Sequence, residues 1–399
     1  MKKVRVGFLW HNVSSGNLGV GALSISNMIL VKDALESINM EGEFFTIGDY
    51  ECSDPSNHDK VKSQIAHNFT HISISVKQLL INPIKLIKFI KFIKTLDLVL
   101  DIGAGDSFSD IYGSKRFIIQ VFTKIASAQF ARISILSPQT IGPFKSRFAE
   151  KITKFIIEKT NFSYARDTIS YELASRLGKC ELATDVAFSM PYQVSSRFSD
   201  IDNSIHVGIN VSGLLLSGGY NRLNQFGLNH NYEEFIHKVI KEFMAYDNVK
   251  VHLIPHVIAT VPENEIEDDY LACVKIKKSF PECVLASRFT NPIDAKNYIS
   301  KLDYFTGGRM HATVAAFSTG VAVTPYAYSR KFKGLYNTIG YTNILEAKEL
   351  CLEEAVKKVI SDFNNREELK NNIMKCTSSI KKLTDVYLKT LKEVLSDLH

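Results

Sequence analysis

The sequence predicts an α/β protein made of two doubly wound, Rossmann-like parallel-sheet domains facing a cleft. Three observations predict it. Short apolar runs alternate with longer stretches of helical period. That alternation stops at a polar stretch, residues 191–204, and then restarts. A chain of 399 residues is also too long for one small core. Strand–helix alternation of this kind implies parallel strands covered on both faces.

In the first half the strand candidates are Val4–Leu9, Glu43–Ile47, Leu98–Leu100, Arg132–Leu136, Phe162–Ala165 and a short piece at Val186–Phe188. Helical periods lie between them at Gly21–Asn39, Pro83–Leu96, Phe117–Ala131 and Arg147–Lys159. After the linker come strand candidates His206–Val211, Val249–Ile254, Glu282–Leu285, Tyr304–Thr306 and Val321–Thr324. Their helical partners are Tyr232–Ala245, Asp269–Phe280, Asn291–Lys301 and Ala312–Ser318, and a Lys-rich helical tail runs from Leu352 to His399. The expected domains are therefore 1–192, 205–350 and a C-terminal helical segment, 351–399. Two such halves bind ligands at the carboxyl ends of their strands. The arrangement resembles the GT-B type found in many glycosyltransferases.

Composition narrows the function classes. Hydrophobic content of 45% and charged content of 23% are those of an ordinary soluble globular chain. The net charge of +6 is diffuse, without a dense Lys/Arg block carrying aromatics, so no nucleic-acid partner is expected. The six cysteines form no CxxC or His/Cys cluster, so neither a zinc site nor a disulfide framework is expected. Reduced thiols in a cytoplasmic protein are the simpler reading. Met1–Trp10 is charged and then apolar, but His11 and Asn12 interrupt it and no small-residue cleavage site follows. No run approaches the roughly 18 apolar residues of a membrane span.

The most informative stretch is Gly307-Gly308-Arg309-Met310-His311, at the end of a strand candidate. The glycines allow close approach of backbone to a ligand. Arg309 offers a planar fork for phosphate or carboxylate. His311 is suited to move a proton near neutral pH. A helix starting here would add unpaired N–H groups for an anion. Downstream, Arg330, Lys331 and Lys333 could reinforce an anion site, although a surface loop explains them equally.

Other strand ends carry candidates of the same kind. Gly16, Gly19 and Gly21 make a loop with Asn17 that could approach an anion, yet the spacing is not GxGxxG, and a tight βα turn explains it too. Gly103-Ala104-Gly105-Asp106 would display Asp106 where a general base sits, or use it as a helix cap. Gln139 and Thr140 could hydrogen-bond sugar hydroxyls. Arg166 could clamp an anion, or pair with Asp167 or Glu172 on the surface. His256 should face the cleft. Glu263, Glu265, Glu267, Asp268 and Asp269 read as a solvated loop rather than a metal site. The segment Ile84–Lys94 is a basic amphipathic helix that covers a sheet or could rest on an anionic membrane.

Taken together, these residues resemble the polysaccharide pyruvyl transferase family. The resemblance rests on Gly16–Leu23, Gly103–Asp110, Ser137–Pro143, Ala165-Arg166-Asp167, Thr184–Phe188, Leu253–His256 and Gly308–His311, in that order. It implies transfer of an enolpyruvyl-derived group from phosphoenolpyruvate to a sugar, giving a pyruvate ketal and phosphate. It implies a GT-B-like fold and no organic cofactor or metal, with phosphoenolpyruvate as co-substrate. The acceptor would be a saccharide or lipid-linked glycan, handled in the cytoplasm or at the inner face of the membrane. His311 becomes the acid and Asp106 the base, across the cleft from each other. Arg309, Arg166, Gly308, Lys331, His256, Asn17, Gly105 and Gln139 become the substrate-binding set. Two motifs depart from the family pattern. Residues 17–22 lack its acidic pair, and Ala104 stands within its Gly-Gly-Gly. Both departures fall in the first half, on the expected acceptor side.

Two other readings stay open on sequence alone. A GT-B glycosyltransferase would use the same Arg and helix start for the diphosphate of a nucleotide sugar. A non-enzymatic glycan-binding protein on the same scaffold is the other.

Overall fold

The apolar run Val4–Leu9 becomes strand β1, buried at every residue but Arg5, which is half-buried. Unbroken hydrophobicity of this kind marks a central parallel strand with both faces covered. The structure, a computed structural model, describes residues 3–49, 55–105, 107–259 and 262–398. The chain divides into two units. One holds residues 1–14, 23–190 and 380–399, and the other holds 15–22 and 191–379.

Among the described residues, the first unit holds β1, β2 (Gly42–Gly48), β3 (Phe69–Ser73), β4 (Leu98–Asp101), β5 (Ile133–Gln139), β6 (Phe162–Ala165) and β7 (Glu181–Leu182). They form one parallel sheet in the order β3-β2-β1-β4-β5-β6-β7. The strands alternate with helices α1 (Leu18–Ser37, of which residues 23–37 fall in this unit), α2 (Pro55–Ile65), α3 (Val76–Ile81), α4 (Pro83–Ile93), α5 (Ser114–Phe130), α6 (Arg147–Lys159) and α7 (Thr168–Leu177).

In the second unit the sheet is β10-β9-β8-β11-β12-β13, again all parallel. Its strands are β8 (Ile205–Asn210), β9 (Val249–Leu253), β10 (Val284–Leu285), β11 (Tyr304–Gly307), β12 (Ala322–Ala327) and β13 (Leu345–Glu346). Its helices are α8 (Ser199–Asp202), α9 (Gly213–Leu216), α10 (Tyr232–Met244), α11 (Asp269–Ser279), α12 (Pro292–Ile299), α13 (Met310–Ser318), α14 (Arg330–Thr338), α15 (Leu352–Asn364) and the first half of α16 (Arg366–Ser396). Both strand orders reverse direction next to the first strand of the sheet. That reversal is the switch point of doubly wound folds, where ligands bind beyond the strand ends. In the second sheet it falls between β8 and β11.

Four sequence expectations change. The piece at Val186–Phe188 is a 3₁₀ turn, not a strand, because the Asp185 side chain accepts the Ala187 N–H and starts a helical turn. The helix expected at Pro83–Leu96 is preceded by another, and Asn82 ends α3 and caps α4 through the N–H groups of Ile84 and Lys85. The helical tail is not a separate unit. α15 lies on the second unit, while Tyr387 near the end of α16 hydrogen-bonds Asn27 and Ser137, and Thr390 accepts from Tyr164, inside the first unit. Finally, α1 is long and apolar enough to span a membrane by composition, but 78% of its most apolar window is buried in the fold.

Candidate active site

Asn210 ends β8 and Gly307 ends β11, so the switch point of the second sheet lies between them. A Cβ on Gly307 would meet Asn210 Cβ at 2.4 Å, and one on Gly308 would meet Leu215 Cδ1 at 2.7 Å. The two glycines are therefore required first by packing against β8 and α9. Asn210 Oδ1 accepts the Arg309 N–H at 2.8 Å and fixes the turn into α13.

The Arg309 side chain turns inward onto Asp269. Nε donates to both carboxylate oxygens at 3.1 and 3.2 Å, and Nη2 donates to Oδ1 at 2.9 Å and to the Glu267 carbonyl at 2.8 Å. Asp269 is fully buried and also accepts N–H groups from Gly213, His256 and Val257 and the Asn210 amide. One carboxylate thus ties together the loops after β8, β9 and β11. Burial pushes the Arg309 pKa down, but Asp269 outweighs it and the net shift is upward. The pair is close to neutral overall, so Arg309 is a brace before it is an anion clamp. This corrects the reading of residues 263–269 as a solvated loop: Asp268 and Asp269 are buried. Sequence reasoning missed Asp269 and Asn210. The one signal was the Asp-Asp pair at the start of a helical period, where Asp268 caps α11.

His311 stands in the first turn of α13, and its imidazole lies over Gly19. A Cβ added to Gly19 would sit 2.4 Å from His311 Nδ1. Residues 15–22 belong to the second unit, not to the first as the sequence suggested. They are held there by backbone pairing: Leu18 N–H donates to the His256 carbonyl at 3.1 Å, and Ile258 N–H donates to Gly16 at 2.8 Å. Asn17 is exposed, and its side-chain carbonyl accepts the Gly19 N–H at 3.1 Å. His256 is 1% exposed, and its Nε2 has no hydrogen-bond partner among the described residues. Burial lowers its pKa to about 3, and the nearby His311 and Arg309 push the same way. His256 is therefore a neutral imidazole at neutral pH.

The N-cap residues of α13 and α14, Arg309 and Ser329, make no side-chain capping hydrogen bond. The two helices follow β11 and β12, which are neighbours in the sheet. Arg330 and Lys331 occupy the first turn of α14, and Lys333 pairs with Glu346 at 2.8 Å. Uncapped helix starts with adjacent cations favour an anion.

Arg166, Gly105 and Gln139 belong to the first unit. Arg166 is buried and donates to Asp185 Oδ2 at 2.8 Å and to Thr140 Oγ1 at 2.9 Å, so it is neither a surface residue nor a ready clamp. Its Nη2 has no partner among the described residues. The Gln139 amide is used internally, by the Asp101 and Ser137 carbonyls and by Lys124. Lys124 and Asp101 form a fully buried ion pair at 2.8 Å, and Asp101 Oδ1 also accepts the Gly103 N–H. That network holds a loop in which Gly103, Ala104 and Gly105 all have positive φ. Asp106, the expected base, lies outside the described residues.

A left-handed alanine costs about 1–2 kcal/mol, and glycine costs up to about 1 kcal/mol through the unfolded chain. Ala104, at φ 55°, should thus accept glycine with a gain of up to about 1 kcal/mol. Gly103→Ala should lose stability instead, because its Cβ would press on Gln139 Oε1 at 3.0 Å. Urea unfolding of the two variants checks the opposite signs.

Comparison with known proteins agrees with this architecture. The chain is similar to a structure described as a UDP-N-acetylglucosamine 2-epimerase from Listeria monocytogenes, with TM-score 0.63 and 10% identity over 99% of this chain and 98% of that one. It is also similar to S. aureus MnaA with UDP, with TM-score 0.59 and 11% identity over 98% and 97%. A third is the UDP-GlcNAc 2-epimerase from Neisseria meningitidis bound to UDP-GlcNAc, with TM-score 0.57 and 10% identity over 98% and 100%. At such identities the likeness is one of fold, and it places the chain among two-domain proteins of GT-B type. No curated protein matches the chain. Residues 42–330 match the family model for polysaccharide pyruvyl transferase, and the chain belongs to that family.

Proposed function

We propose that this protein transfers the pyruvyl group of phosphoenolpyruvate to two hydroxyls of a sugar in a surface polysaccharide or its precursor, forming a pyruvate ketal. The observation that carries this reading is His311 beside Gly19 and His256, at two adjacent uncapped helix N-termini with Arg330 and Lys331. A small, multiply anionic donor suits those helix starts, and its enol suits a proton donor.

His311 gives a proton to the methylene carbon, leaving a methyl group and a carbocation stabilised by the ester oxygen. One sugar hydroxyl bonds to that carbon and gives its proton to a base, for which the sequence supplies Asp106. The bond from carbon to phosphate oxygen then breaks. The second hydroxyl closes the ketal, and its proton leaves with phosphate. Arg309 and Asp269 keep the His311 turn in place, and neutral His256 packs beside it without adding a repelling charge.

Incubation with phosphoenolpyruvate and a saccharide diol should release phosphate and yield a ketal seen by mass spectrometry. Calorimetry in which nucleotide sugars bind and phosphoenolpyruvate does not would favour the glycosyltransferase reading and overturn this one.

A further inference from the structure

Helices α3 and α4 connect β3 to β4 in the first unit and carry large apolar side chains on their outer side. Leu80 is 56% exposed, Ile81 71%, Ile84 64% and Ile87 52%. α4 buries Phe89 and Ile93. Ile84 and Ile87 lie five and two residues before Phe89, which at 3.6 residues per turn puts them on the opposite side. Lys88 and Lys91 follow them at four-residue steps and share that outer face. On α3, Lys77 stands one turn from Leu80 and Ile81, while Val76 and Leu79 face inward.

The charge of this face has one sign. Between Val76 and Lys94 there are five lysines and no Asp or Glu. All five, Lys77, Lys85, Lys88, Lys91 and Lys94, are exposed. An ordinary sheet-covering helix has one apolar stripe and a polar outer face. Here the outer face interleaves isoleucine with lysine. That pattern fits a surface that is apolar within and anionic at its rim. A second copy of the same face would set lysines against lysines.

From this we infer that the α3–α4 face docks on an anionic lipid bilayer, its isoleucines entering the headgroup boundary and its lysines meeting lipid phosphates. The inference does not rest on the donor chemistry, and vesicles contain neither donor nor acceptor.

Flotation of the full chain with vesicles tests it. The chain should float with phosphatidylcholine vesicles that contain phosphatidylglycerol, and not with phosphatidylcholine alone. Added salt should weaken the binding. Lys88→Gln and Lys91→Gln together should lower the partition by roughly twenty-fivefold, at about fivefold per lysine. Ile84→Ser with Ile87→Ser should lower it by about tenfold or more. Because these side chains are exposed, thermal unfolding should be unchanged in both variants. Failure of the native chain to float with anionic vesicles overturns the inference. Flotation that neither variant weakens also overturns it, as does a native dimer that the isoleucine variant converts to monomer in sedimentation.

Discussion

Asp269→Ala should destabilise the protein by about 3–5 kcal/mol and abolish activity, because it leaves a buried guanidinium without its counter-charge. The carboxylate is fully buried and accepts from Arg309 and from three backbone N–H groups, those of Gly213, His256 and Val257. Asp269→Asn keeps the shape but turns an N–H₂ group or a weaker acceptor toward Arg309, so it should fall between alanine and the native residue. Arg309→Met combined with Asp269→Leu should cost less stability than Asp269→Ala alone, since no charge is then stranded. It should remain inactive, because the turn into α13 has lost its brace. Urea denaturation and phosphate release measure the two effects separately. An Asp269→Ala protein of native stability would show that the ion pair does not hold these loops.

His311→Asn should reduce the transfer rate by roughly 10²–10⁴-fold, the usual contribution of a positioned general acid. Stability should change little, since His311 is only partly buried. Gly19→Ala gives an independent handle on the same group. Its new Cβ would meet His311 Nδ1 at 2.4 Å, so the imidazole must move. Activity should therefore fall in Gly19→Ala while phosphoenolpyruvate still binds, as followed by calorimetry. Full activity in His311→Asn would remove His311 from the chemistry.

Much of the fold was legible because central parallel strands are unbroken apolar runs that end in glycine or polar residues. β1 and β6 match the expected ranges residue for residue. β3 was missed because it is an edge strand, largely open to solvent and holding His71 and two hydroxyl residues. β7 and β13 are two residues long, too short for any periodicity to register. Within the site, His311 and Arg309 were legible as residue types at a strand end. Their partner Asp269 was not, because five acidic residues crowd 263–269 and local sequence does not say which one turns inward. Arg166 and Gln139 have the right chemistry for ligands, but the fold uses both internally, on Asp185 and on the Asp101–Lys124 pair. The pairing of residues 16–18 with 256–258 spans some 240 positions of sequence, and only tertiary structure reveals it.

The path of the chain has a consequence for how it must be made. The first unit is assembled from three separate stretches, and Tyr387 and Thr390 fill hydrogen-bonding positions inside it. The second unit in turn borrows residues 15–22. A ribosome therefore cannot deliver these units one after the other. The early sheet lacks its partners for Asn27, Ser137 and Tyr164 until α16 has been made. Folding of the first unit is in this sense coupled to synthesis of α16, because Tyr387 bonds Asn27 across 360 positions of sequence.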